Sequence, residues 1–298
     1  MITPRPAELE PPSSGLRRAG PTCGGHDHPR ELGREARQTG AVVDRWVEVG
    51  DGVLARRHEE LDLTTGLVVG GERALVVDTA GDSAQGSRLY AAVREVTALP
   101  MVVAITHAHF DHCFGTGSFP SGAVHAHPRC RASIVETAAA QRREWTRYYR
   151  ERGDDATADA LAATDPPLPE PTVDPELHVD LGGRTVTLLH PGRGHTDHDV
   201  VAVAGDVVFA GDLVEQGAPP DFGDAVVADW PATVTRLLGL GASTFVPGHG
   251  DPMSRPEVEA QRDGLAEVAA LCVAVGRGEL DPAGAQARSP FPNVPWPA

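Results

Sequence analysis

Three histidines and an aspartate are packed into the seven-residue stretch THAHFDH, Thr106 to His112. Neutral imidazoles and carboxylates are the donors that zinc and related divalent ions prefer. On an extended loop His107 and His109, two positions apart, point the same way. Asp111 and His112 follow once the chain turns, and can face a second ion. The apolar run MVVAIT ends abruptly at these histidines, as a buried strand ends at a functional loop. The plain alternative is a solvated His-rich loop. So dense a pattern directly behind a buried strand favours metal binding.

Further donors stand at matching places. His195 follows the run VTLLHP in GRGHT, and Asp212 closes FAGD. His249 lies in VPGHG, between glycines that permit close backbone approach. Each is a polar ligand type at the tip of an apolar run, where sites collect. The series His107-x-His109-x-Asp111-His112, then His195, Asp212 and His249, resembles the metallo-β-lactamase superfamily over about residues 45 to 275.

That resemblance implies an α/β fold, an αββα four-layer sandwich with a helical insertion and the metals at one edge between two sheets. It implies that His107, His109 and His195 hold one ion, that Asp111, His112 and His249 hold another, and that Asp212 bridges both. The cofactors implied are two divalent ions, zinc first, with iron or manganese as alternatives. An aspartate at 212 looks like the glyoxalase II, lactonase and general hydrolase branches, because the zinc β-lactamases typically carry Cys or Ser there. His109 argues against the flavodiiron type, which usually has Glu at that position.

Two such ions sharing a water lower its pKa toward ~7, giving hydroxide at neutral pH. The expected reaction is hydrolysis of a small ester, thioester or lactone, with Asp111 as the catalytic residue that orients the nucleophile and relays its proton. A second reading is an oxidoreductase similar to the persulfide dioxygenases, which share the fold but bind a single iron. Intact His112 and His249 favour two metals.

The flanking sequence must supply the scaffold. WVEVGDGVLARR and TTGLVVGGERALVVDTA read as two hairpins, and Ser83 to Leu99 has helical spacing through Leu89, Val93 and Val96. GAVHAHP, RTVTLLHP, DVVAVAG, DVVFAGD and STFVPGHG read as strands, with helices near 230–240 and 256–275. Alternating strands and helices argue for a layered α/β domain. The expected organisation is a disordered tail at 1–44, a metallo-β-lactamase-like domain at 45–278 with a helical insertion at 131–175, and a C-terminal tail at 279–298. The first tail contains CGGHDH, with Cys23, His26 and His28, read as solvated.

A formal net charge of -16 repels phosphate backbones and anionic lipid, so the expected partner is a small-molecule substrate, with no nucleic acid and no membrane. All the basic residues are arginine. None of the four cysteines has C-x-x-C spacing, which fits a reducing cytosol. No signal peptide or membrane span is read, so a cytoplasmic location is expected; oligomeric state leaves no mark on the sequence.

Other residues carry two readings. Asp78, by resemblance, supports the ligand loop; alone it is a strand-end turn. Thr106 and Thr196 could bond ligands, and His198 could touch substrate. His125, His127 and His190 read as packing, and Cys113 as a small buried residue. Trp145, Tyr148 and Tyr149 either line a pocket or pack a core. Arg142, Arg143, Arg147 and Arg150 meet an acidic substrate or form a solvated face.

Overall fold

The computed structural model describes residues 44–120 and 122–297. The tail expected at 1–44, with its CGGHDH motif, lies outside the described residues but for Asp44.

Chain alternation builds the first sheet. Strands β1 (Trp46–Gly50) and β2 (Val53–Arg57) form a hairpin, extended antiparallel by β3 (Thr64–Val69) and β4 (Ala74–Val77). The sheet continues in parallel through β5 (Met101–Ala104), β6 (Val124–Ala126) and β7 (Glu170–Pro171). The second sheet has the order β13-β12-β11-β10-β9-β8. Its strands are β8 (Glu176–Asp180), β9 (Thr185–Leu189), β10 (Val201–Ala204), β11 (Val207–Gly211), β12 (Thr244–Pro247) and β13 (Met253–Ser254). Only β11 and β12 run parallel.

Period-two alternation decides which layer each side chain joins. Val68, Leu75, Val77, Val102 and Ala104 meet Val186, Leu188, Ala202, Phe209 and Val246 between the sheets. Their neighbours Leu67, Val76 and Val103 point the other way, toward helix α1 (Ser83–Val96). The second sheet turns Val201, Val208 and Phe245 outward onto α5 (Trp230–Leu238) and α6 (Arg255–Gly276). Helix, sheet, sheet, helix: the αββα sandwich is the architecture present. Gly66 shows how tightly the sheets meet, because a Cβ there would sit 2.4 Å from the Phe209 ring.

On the outer face of the first sheet, with α1, pack α2 (Phe110–Cys113) and two further helices, α3 (Pro128–Glu151) and α4 (Asp155–Ala163). Asp154 caps α4 by accepting from Thr157 N at 3.0 Å. The stretch 131–175 is thus not wholly helical, since it also contributes the edge strand β7. Beyond α6 comes helix α7 (Pro282–Arg288), whose buried Ala285 packs on Leu271 and Val275 of α6. Among the described residues no helix is long and apolar enough to cross a membrane.

Candidate metal centre

Strand ends and the turns that follow them position the candidate ligands. Asp78 follows β4 and the Thr106–His112 loop follows β5, which runs parallel to β4. Asp212 follows β11 and His249 follows β12, parallel again. Carboxyl ends of parallel neighbours open on one side of a sheet, where ligands collect in α/β folds. His195 sits on the connection from β9 to β10. Backbone bonds then tie the two edges together: Thr64 N donates to Gly248 O at 2.7 Å, and Leu63 bridges His249.

All seven sequence-derived residues come together. Ligand atoms of His107, His109, His195 and Asp212 lie within 4.8 Å of one another, as do those of Asp111, His112 and His249. Asp212 touches both groups. Its Oδ2 is 3.6 Å from His107 Nε2, 3.5 Å from His195 Nε2 and 3.4 Å from His249 Nε2, while Oδ1 is 3.2 Å from His112 Nε2. Asp111 Oδ2 stands 3.4 Å from His249 Nε2.

Each imidazole has one nitrogen turned into the cluster and the other held from outside. Thr106 Oγ1 donates to Asp78 Oδ2 at 2.8 Å, which leaves it to accept from His107 Nδ1 at 3.0 Å. His112 Nδ1 donates to Asp78 Oδ2 at 2.8 Å. His249 Nδ1 donates to Leu61 O at 2.8 Å and His195 Nδ1 to Asp221 O at 3.3 Å. His109 is turned over, with Nε2 on Asp224 Oδ1 at 3.1 Å and Nδ1 facing His195 Nε2 at 3.0 Å. Such outer partners fix ring orientation, so the inward nitrogens are the ones that would face a cation.

The buried atoms left over fit the same occupant. His107 Nε2 and Asp212 Oδ1 have no hydrogen-bond partner although both are buried. An unsatisfied buried polar group costs about 1–3 kcal/mol, and a cation facing both atoms removes that cost. Gly248 makes room, since a Cβ there would lie 1.7 Å from Asp212 Oδ1. The donor set of imidazoles and carboxylates suits zinc, iron or manganese alike.

Electrostatics sharpen the picture. Burial and the neighbouring His112 push His107 well below the ordinary imidazole value. Burial works against charge on His249, but Asp212 and Asp111 outweigh it and raise the group to about 10. For His109 burial again opposes, and Asp224 with Asp111 raises it to about 9. Burial would lift Asp212, yet His112, His249 and His107 hold it well below the carboxylate range. The carboxylates therefore draw positive charge into the cluster, and cations bound there would displace the imidazole protons.

Asp78 does support the ligand loop: besides His112 and the Thr106 hydroxyl, it accepts from Thr106 N at 2.8 Å. The backbone at Asp78 is left-handed, φ 62°, a conformation Asp tolerates better than most residues. Thr196 bonds no candidate ligand; its N and Oγ1 donate to Asp199. His198 is a loop support, with Nε2 accepting from Ala108 N at 3.2 Å and Nδ1 donating to Asp197 at 2.9 Å. His127 and His190 stack at 4.5 Å, and His125 bonds Thr172. Cys113 is fully buried, and burial pushes its thiol well up, away from reactivity. Tyr148 and Tyr149 are buried, and Trp145 packs 4.3 Å from the Phe110 ring, so the aromatic trio belongs to the core. The four arginines line a separate cavity of about 430 Å³ with Thr146 and Ala162, containing none of the candidate ligands. Two of them are paired, Arg142 with Asp165 and Arg150 with Asp155 and Asp159.

Sequence reasoning missed Asp224, Gln141 and the carbonyls of Leu61 and Asp221. Asp221 and Asp224 share the short stretch DFGD soon after Asp212, the one local hint available.

Residues 58–249 match the family model described as the metallo-beta-lactamase superfamily. A crystal structure of a metallo beta lactamase from Erythrobacter litoralis, with beta mercaptoethanol in its active site, aligns with a TM-score of 0.55 at 19% identity, covering 74% of this chain and 96% of that one. A metallo-beta-lactamase from Pontibacter korlensis aligns with a TM-score of 0.56 at 18% identity, covering 74% and 98%. At these identities the likeness is one of fold. No curated protein sequence matches the chain.

Proposed function

The chain belongs to the metallo-β-lactamase superfamily, and on that premise we propose that it is a metal-dependent hydrolase of a small ester, thioester or lactone, working with two divalent ions, zinc foremost. One observation carries this reading: seven donors from four separate segments converge in two groups that share Asp212. His107, His109, His195 and Asp212 would hold one ion; Asp111, His112, His249 and Asp212 would hold the other. The ions supply Lewis acidity, polarising a carbonyl and making water acidic enough to ionise near neutral pH.

The chain's own groups do the rest. Asp111 reaches the cluster with Oδ2 while its side chain stays 13% exposed, so it can hold an attacking water and accept its proton at a carboxylate oxygen. Asp78 and Thr106 hold the outer nitrogens of His107 and His112, which turns their Nε2 atoms toward the cluster. The acidity of the chain favours a small-molecule substrate over nucleic acid or an anionic membrane. Free thiols at Cys113, Cys130 and Cys272 support a reducing, cytoplasmic setting, and residues 45–278 are the proposed catalytic domain.

Metal analysis of the purified protein, followed by a screen of thioesters, lactones, phosphoesters and β-lactams, tests the proposal. Two zinc, iron or manganese per chain with turnover of a carbonyl substrate is the expected outcome. A single iron with oxygen consumption on a persulfide would replace it with the dioxygenase reading. Asp111→Ala should abolish turnover while leaving the circular dichroism spectrum intact; unchanged turnover would remove Asp111 from the mechanism.

A further inference from the structure

Gln141, Trp145 and Tyr149 occur at i, i+4 and i+8 on α3, so they share one face of that helix. This face is turned toward the ligand loops. The Gln141 carboxamide makes two bonds to the backbone on either side of His109: Nε2 donates to Ala108 O at 3.0 Å, and Oε1 accepts from Phe110 N at 2.8 Å. A neighbouring strand would offer the same donor and acceptor pair. The amide is itself held, since Nε2 also donates to Thr137 Oγ1 at 2.9 Å. One turn on, Trp145 packs against the Phe110 ring. A further turn on, the Tyr149 hydroxyl donates to Glu60 Oε1 at 2.6 Å. Glu60 directly precedes Leu61, whose carbonyl fixes His249. Leu61 and Asp62 both hold left-handed backbone, φ 52° and 63°, so their loop needs outside support to keep that shape.

We propose that Gln141 and Tyr149 are positioning residues through which one rigid helix sets the His109 loop and the His249 loop relative to each other, and so tunes the affinity of each ion separately. The inference rests on the metal-binding reading of the cluster. It gives the insertion a task other than lining a pocket: it braces the two ligand groups from behind. Gln141 acts on the group containing His109, and Tyr149 acts on the group containing His249.

Cobalt is the probe, because its visible spectrum reports ligand geometry without any substrate. The full chain and the variants Gln141→Leu, Gln141→Glu and Tyr149→Phe would be stripped with chelator and titrated with Co²⁺ against a competing chromophoric chelator. Loss of an outer support costs about 10–100-fold in metal affinity. Gln141→Leu should weaken one ion by about tenfold and shift its absorption band, at the lower end of that range because the ligands themselves remain. Tyr149→Phe should weaken the other ion and leave the first unchanged. Gln141→Glu keeps the acceptor for Phe110 N and should fall between wild type and Leu; it also carries the test if the Leu variant fails to fold. Variants that lower the melting temperature but bind both ions with wild-type affinity and spectrum would overturn the inference and leave the site reading standing. A wild-type chain that binds no cobalt would overturn the site reading, and the inference with it.

Discussion

Asp224 offers the sharpest perturbation of the proposed centre. It stands 115 positions from His109 in the chain, and its Oδ1 holds His109 Nε2 at 3.1 Å, which turns Nδ1 inward. Two replacements separate orientation from charge. Asp224→Asn keeps an oxygen that can accept from Nε2–H; Asp224→Ala removes both the acceptor and the charge. The Asp224 side chain is 57% exposed, so its Coulomb contribution belongs near the water limit of about 1 kcal/mol for charges ~4 Å apart. A net hydrogen bond contributes about 0.5–1.5 kcal/mol. Allowing for the side-chain order the pair requires, Ala should cost about 1–2 kcal/mol, or roughly 5–30-fold in affinity for the ion held by His109. Asn should cost only a few-fold. The assay is zinc competition with a chromophoric chelator at neutral pH, repeated across a salt series. Most of the Asn effect should fade with salt, while the Ala effect should persist. The reasoning fails if the Ala variant binds both ions as wild type does, or if its loss falls on the ion held by His112 and His249.

Further outcomes follow from the same geometry. Gly248→Ala should displace Asp212, because the backbone cannot retreat: Gly248 N donates to Gly211 O at 2.9 Å and its carbonyl accepts from Thr64 N. At least about tenfold weaker zinc binding is expected, with metal content per chain as the measure. Arg57→Met leaves Asp62 buried without its guanidinium partner and should cost about 3–5 kcal/mol, a fall of roughly 6–20 °C in Tm by calorimetry. A shift of only a degree or so would show that the pair contributes little. Burial pushes the Asp199 carboxyl up to about 8 despite the bonds from Thr196. The folded chain then retains a proton that the unfolded chain sheds above 3.8, so this group lowers stability progressively from about pH 4 to pH 8. Asp199→Asn cannot titrate and should lose less stability over that window in chelator-stripped protein. Parallel urea-midpoint slopes for the two proteins would contradict the assignment.

What could be read from sequence and what could not divides along a physical line. The convergence of His107, His195, Asp212 and His249 is legible because a polar residue at the tip of an apolar run is a local property of the chain. The layers were legible for the same reason, through period-two runs such as ALVV and VVFAG. Strand β8 escaped because ELHVD is largely exposed and polar, and β13 because two residues carry no period. The two-residue edge strand β7 was hidden in a proline-rich stretch. The aromatic trio's two readings resolve to core packing, since Phe110 projects from the ligand loop onto α3 and demands apolar neighbours.

The orientation of the ligands, in contrast, is non-local. Leu61 and Asp221 act through backbone carbonyls, which every residue type possesses, so no letter in the sequence marks them. Gln141 is a neutral amide midway along a helix, and only the fold reveals that its turn meets the loop. A chain could keep all seven donors and still bind more weakly if these outer groups changed, because the inner nitrogens aim at a cation only while the outer nitrogens are held. Substitutions at Asp224, Gln141 or Tyr149 should therefore grade metal affinity in steps, whereas substitutions among the seven donors should remove it.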